Sequence, residues 1–198
     1  MKCKVLLLGI MVFFSTPLIV CSSADHPHKS KYAGQEKREI KSLSESDIEE
    51  LKNGGGWGFA KAAELNGYPG PIHVLEMKKE INLSAQQVKE IEDVYQRMKN
   101  QAIPLGLQLI ELERSLNNHF ANGTITDNLL QELLGEIAQV RKNLRYTHLS
   151  AHLTTPNILT AEQVTLYNEL RGYASKDPCK NIPKGHDPEM WKKHHDCP

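Results

Sequence analysis

Residues 83–123 read LSAQQVKEIEDVYQRMKNQAIPLGLQLIELERSLNNHFANG, and this stretch decides the fold. Its apolar or core-compatible positions are Val88, Ile91, Tyr95, Met98, Ala102, Leu105, Leu109, Leu112, Leu116 and Phe120. They recur at alternating steps of three and four, the pattern of a single helix face sustained over several heptads. Ser84 is placed to N-cap this helix, Gln87 three residues on completes a capping box, and Leu83 can staple onto Val88. Asn122-Gly123 supplies a left-handed C-cap. Pro104 removes one backbone hydrogen bond, which predicts a kink rather than an end because the same face resumes beyond it. Such a helix has about 38 residues and is roughly 57 Å long at ~1.5 Å per residue.

Working outward, Thr126-Asp127 opens a second long helix with apolar positions Leu130, Leu133, Ile137, Val140, Leu144 and Ala151, ending at Thr154-Thr155-Pro156. Two helices of similar length joined by a tight turn predict an antiparallel hairpin. The start signature then repeats as Leu159-Thr160-Ala161-Glu162-Gln163, so a last helix over 160–173 is expected to pack back across the hairpin. Upstream, Ser44-Glu45-Ser46-Asp47 opens a short helix that must stop at Gly54-Gly55-Gly56. A second piece runs over 60–65 to Asn66-Gly67, and a third over 72–80 follows the rigid corner Pro69-Gly70-Pro71. No strand run is visible. The fold class is therefore all-α, a long antiparallel helical hairpin with short flanking helices. One hairpin of this length leaves apolar surface uncovered, which predicts a second subunit and a homodimer.

The chain opens with Lys2 and Lys4, an apolar run over 5–14, Pro17 and the small-residue end Ser22-Ser23-Ala24. This is the form of a secretory signal over 1–24. A permanent membrane span is the less favoured reading, because the run is interrupted at Ser15-Thr16-Pro17 and polar sequence follows. Lipidation at Cys21 is an alternative, since Leu18-Ile19-Val20-Cys21 resembles a bacterial lipobox, although Val20 departs from its preference for a smaller residue. On that alternative alone the protein would be membrane-attached.

Removing residues 1–24 takes two lysines from 24 basic residues and none from 24 acidic ones, leaving a formal charge of −2. No basic field remains to attract nucleic acid. Residues 25–42 hold few apolar side chains and read as a flexible lead-in, followed by a Gly-rich region with short helices over 43–70, the helical domain over 71–175 and a tail over 176–198. After cleavage the remaining cysteines are Cys179 and Cys197, and in an exported chain a disulfide closing the tail is the default inference, with zinc binding by the same thiols as the alternative.

His148 and His152 are four apart, which places both imidazoles on one helix face as metal ligands require, and Arg141 and Arg145 continue that stripe. The other reading is a pair of helix-flank histidines with favourable charge near a C-terminus. With the turn near residue 124, His148 lies opposite Asn100 and His152 opposite Gln96, so Glu92, Asp93 and Met98 are candidate partners, with His73 and Glu76 approaching from the preceding short helix. Such a set would suit zinc, nickel, cobalt or copper. The tail is dense in potential ligands around His186, His194 and His195, but density alone is weak evidence. The glycine run lacks the Gly-Lys-Ser/Thr ending of a phosphate loop, and no G-x-S-x-G, H-E-x-x-H or isolated reactive cysteine occurs, so no enzyme is expected and no cofactor is required.

The two L-S/T-x-x-Q helix starts, the long helical segments and Leu170-Arg171-Gly172-Tyr173 resemble, over about residues 72–173, the Spy/CpxP family of periplasmic chaperone-like stress proteins, including its ZraP- and CnrX-like heavy-metal-sensor relatives. The resemblance implies a cradle-like antiparallel dimer that holds unfolded client proteins or reports to a membrane-bound sensor. For the sensor relatives it implies metal binding through His, Glu and Met, with His148 and His152 in that role. Two departures stand out. Chaperone members present a basic concave surface whereas this mature chain is near neutral, and the Trp57 region and the tail lie outside the resemblance.

Overall fold

The computed structural model describes residues 30–173, 179, 187–194 and 197, and the chain divides into two units, Met1–Glu36 and Lys37–Pro198. In the first unit the described contacts are local, with the Gly34 N–H donating to the Glu36 carboxylate at 2.6 Å. Among the described residues the second unit is all-helical: α1 (Glu45–Lys52), α2 (Lys61–Glu64), α3 (Pro71–Glu76), α4 (Ala85–Ala121), α5 (Asp127–Thr154), α6 (Ala161–Leu170) and α7 (Pro188–His194). A 3-10 turn, Thr155–Ile158, joins α5 to α6. None of the described helices is long and apolar enough to cross a membrane. Cys21 lies outside the described residues, as do His186 and His195 of the tail. Cys179 and Cys197 are joined by a disulfide with a Cα separation of 5.3 Å.

The two repeated helix starts form as the sequence predicts, and the structure then brings them together. Ser84 accepts from the Gln87 N–H while Gln87 returns its side-chain oxygen to the Ser84 N–H, and Thr160 and Gln163 do the same at α6. The two glutamines also bond each other, Gln87 Nε2 donating to Gln163 Oε1 at 2.8 Å and Gln163 Nε2 to Gln87 Oε1 at 3.2 Å. Gln87 further donates to the Ile158 carbonyl, and Gln163 to the carbonyls of Ile81 and Asn82. This clasp lies beside a core cluster of Val74, Ile81, Ile91 and Tyr167, where α3, α4 and α6 meet. Gln163→Ala removes both a cap and a set of part-buried bonds, and is expected to cost about 1–3 kcal/mol in denaturant unfolding. An exposed capping glutamine acting alone would cost less than half of that.

Helix α4 runs unbroken through Pro104. Pro104 and Asn100 both lie exposed, so the carbonyl left without its helical donor is on the solvent side. The buried positions on α4 are Ile91, Val94, Met98, Ala102, Gly106, Leu109 and Ile110, a wider band than the expected stripe, and Phe120 stands 57% exposed. The band is wide because α4 is covered on two sides. On one, α5 contributes Leu133, Ile137, Val140 and Leu144, and Val94 and Met98 near the start of α4 cluster with Ala151 near the end of α5.

On the other side lies residues 39–59, here termed the strap. It descends α4 from Asn117, whose Oδ1 accepts from the Lys41 N–H at 3.2 Å, past the Ser42–Glu113 bond, to the Lys99 ammonium that donates to the Asn53 carbonyl. Ile40, Leu43 and Leu51 of the strap share one core cluster with Ala102, Leu109, Ile110, Ile137, Val140 and Leu144. Ile40 is fully buried although it falls in the segment whose composition suggested a mobile lead-in. Two apolar residues at the right spacing anchor a polar stretch when a groove awaits them, which composition alone does not reveal. The chain itself thus covers part of the apolar stripe that the sequence reading left for a second subunit. Gly106 makes the approach of α1 to α4 possible, because a Cβ there would lie 2.2 Å from the Leu51 carbonyl oxygen.

Candidate functional site

On α5 the buried positions continue past Leu144 to Thr147, His148, Ala151 and His152. His148 is 3% exposed and His152 8%. They extend the Leu144 side of the helix and not the arginine stripe expected from their spacing, for Arg141 and Arg145 are both exposed. Continuing the register 137, 140, 144 by four would have shown this in the sequence.

The glycine-rich stretch closes over His148. Phe59 stacks on its imidazole at 6.3 Å between ring centres, and Trp57 meets Phe59 edge-on at 5.3 Å. The Arg141 guanidinium lies over Trp57 at 4.8 Å and near Phe59 at 5.8 Å. Trp57 is held in the left-handed region at φ +41° by its N–H bond to the Glu50 carboxylate and its indole bond to Asp47. These supports bear the local strain of that conformation. Gly54 and Gly58, at φ +60° and +71°, let the chain reverse on either side.

His152 is fixed differently. Its Nδ1–H donates to the Tyr68 carbonyl at 2.8 Å and lies 3.7 Å from the Glu64 carboxylate. Gly70 sits against the other edge of the ring, where a Cβ would be 2.8 Å from Cε1. Glu64 Oε1 accepts from the Tyr167 hydroxyl at 2.7 Å and from Arg171 Nε at 3.1 Å. Burial, with the Glu64 carboxylate adding, pushes the Tyr167 hydroxyl well above its ordinary range. Glu64 Oε2 and His148 Nε2 are buried without a hydrogen-bond partner.

A cavity of about 410 Å³ lies among these elements, lined by His148, His152, Glu64 and the glycine loop. Of the expected partners, Met98 and His73 line the same cavity. Glu92 and Asp93 are exposed and do not line it, and Glu76 is exposed and accepts from His73 at 2.9 Å. Among the described residues no three His, Cys, Asp or Glu side chains are grouped so as to hold a metal ion. Among the described residues the two histidines thus share a cavity with Met98, His73 and Glu64, but no third His, Cys, Asp or Glu groups closely with them. Glu64 carried no sequence signal, since it sits on a four-residue helix too short for any periodicity.

Burial above all, then the neighbouring His152 and Lys99, pushes the His148 imidazole down to about 4, with a backbone bond to Gly55 opposing. At neutral pH His148 is uncharged. The site thus joins a neutral buried imidazole to a carboxylate already committed to Tyr167 and Arg171, with the glycine loop as its cover. No protein-family model, curated protein or solved structure matches the chain.

Proposed function

We propose that the protein is an exported, non-enzymatic stress protein that binds non-native polypeptide on the outward surface of α4 and α5, arranged as the antiparallel hairpin of a dimer. The observation that carries this reading is on α5. Tyr146 and Leu153, seven residues apart on one face, stand 70% and 61% exposed, with Leu149 half-buried between them and Lys142 and Arg145 beside them. Leu107, Phe120 and Leu134 add exposed apolar area on the same two helices. Large apolar side chains left in water at heptad spacing mark an interaction surface. The flanking cations suit segments that mix apolar and acidic residues, and they supply locally the positive charge that the chain lacks as a whole. Metal sensing through His148 and His152 is the weaker reading, because among the described residues no third His, Cys, Asp or Glu side chain groups with them.

In an aggregation assay with a chemically reduced client, the purified chain is expected to suppress light scattering at roughly equimolar ratio. Tyr146→Ser combined with Leu153→Ser is expected to lose at least about two thirds of that protection while changing stability by under about 0.5 kcal/mol per site, as exposed substitutions do. Absence of protection by the unsubstituted chain at tenfold excess would overturn the proposal.

A further inference from the structure

We infer that residues 54–59 are an acid-released latch: a proton on His148 expels the Phe59 ring and lifts the strap, uncovering the apolar residues beneath it as a second, acid-dependent binding face. The uncovered set is Ala102, Leu109 and Ile110 on α4 with Ile137 and Leu144 on α5. The use of that face rests on the polypeptide-binding reading above. The release of the strap does not.

Three features of the geometry lead there. The strap is attached unevenly. At its upper end it is held by exposed polar contacts, Glu39 to Arg114, Ser42 to Glu113 and Lys41 to Asn117, of the kind worth little individually. At its lower end it is held by the aromatic stack on His148, the Arg141 guanidinium over Trp57 and the Lys99 bond to the Asn53 carbonyl. Between them Ile40, Leu43 and Leu51 supply the apolar adhesion. The latch also has pivots of its own, since Gly54 and Gly58 take left-handed conformations at either side of Gly55, Gly56 and Trp57.

The surroundings of His148 then decide the sign. From α5 it faces His152, from α4 Lys99, and from the loop the backbone of Gly55. Arg141 lies over Phe59, and Lys61 and His73 line the cavity. The nearby acids are committed elsewhere, Glu50 to the Trp57 N–H, Asp47 to the Trp57 indole and to Ser44, and Glu64 to Tyr167 and Arg171, with its free oxygen turned toward His152. A further positive charge beside Lys99 and Arg141 has no uncommitted carboxylate to meet, so the imidazole gains its proton by leaving the stack for water.

The depressed affinity of His148 for protons supports this and sets the size of the effect. A group titrating near 4 when latched and at its ordinary 6.5 when released shifts the open–closed balance about 30-fold between pH 7.5 and pH 5. Hydrogen exchange on the full chain, corrected for the intrinsic pH dependence, is expected to show the amides of 45–55 losing protection about 30-fold over that interval. Those of 105–112 and 137–144, which open only with global unfolding, should stay at least about tenfold better protected than the strap at both pH values. His148→Phe preserves a ring for Phe59 to stack on and cannot titrate, so it should abolish the 30-fold loss in the strap; His148→Gln is the second variant should the first not fold. Equal protection of strap and helices at pH 5, or an unchanged strap, would overturn the latch. Client protection at pH 5 should rise severalfold in the unsubstituted chain and not in His148→Phe. Strap release without that rise would leave the latch standing and refute the second face.

Discussion

Replacing Gly106 with alanine is expected to destabilise the protein by about 3 kcal/mol, lowering the melting temperature by roughly 6–12 °C. The ordinary rule has the opposite sign, since glycine inside a helix costs about 1 kcal/mol relative to alanine. The decisive fact is the 2.2 Å that would separate the new Cβ from the Leu51 carbonyl oxygen, with the Leu51 carbonyl carbon at 2.9 Å. A backbone atom cannot rotate away as a side chain can. α1 must retreat from α4, and Leu51 leaves the core cluster it shares with Leu109 and Ile110. Gly135 on α5 is the matched control, with no atom within 4 Å of its Cβ position. Gly135→Ala is expected to stabilise by about 0.5–1 kcal/mol through reduced backbone freedom in the unfolded chain. Calorimetry of the two variants side by side checks the contrast, and equal shifts of the same sign would show that the strap does not lie on α4.

Stability should fall steeply between pH 6.5 and pH 4, and most of that fall should disappear when His148 is replaced by phenylalanine. The folded chain holds the imidazole near 4 while the unfolded chain holds it near 6.5, so in this window the unfolded state binds more protons. Acid therefore favours unfolding, and the contribution of neutral His148 is complete above about pH 6.5. The slope is up to about 1.4 kcal/mol per pH unit, which sums to roughly 2–3 kcal/mol across the window. Asp47 adds a smaller loss at lower pH. Its carboxylate is held below its ordinary value, chiefly by its bond from Ser44 and also by that from Trp57, and that stability is lost only as it protonates. Urea unfolding at half-unit pH intervals separates the two, because phenylalanine at position 148 removes the upper window and leaves the lower one. A flat profile between pH 6.5 and 5 in the unsubstituted chain would mean that His148 is solvated.

Much of the fold is readable along the chain because it is local. Helix α4 begins after Ser84 and α5 after Thr126, where side-chain oxygens accept the first free N–H groups, and α4 gives way at Asn122-Gly123 where glycine takes φ +66°. Two helices fall short, α6 ending at Leu170, three residues before expectation, and α3 by more. α3 stops at Glu76, four residues short of expectation, and the chain turns there so that Ile81 enters the core and Asn82, at φ +53°, leads into the Ser84 cap.

The site was half legible. The spacing of His148 and His152 put them on one face, and the register of Leu144 shows which way that face turns. Glu64, Gly70 and Tyr68 gave no sign, because their role arises from contacts across 80 or more residues of sequence. Expectation placed Glu92 and Asp93 near the histidines by counting across the turn. Counting fixes height along a helix and says nothing of rotation about its axis, and both carboxylates point outward.

By itself the sequence determined where α4, α5 and α6 start and where α4 and α5 stop, that no strand would form among the described residues, that two glutamines would complete capping boxes, and that two cysteines could join. Each of these depends on neighbours within a few positions, where backbone donors and heptad spacing decide the outcome. Only the tertiary structure decided that residues 39–59 lie along α4, that Gly106 is needed for closeness, and that the glycine loop seals His148 from water. Those follow from which surfaces meet, and a surface is assembled from residues too far apart in the chain for any local pattern to record.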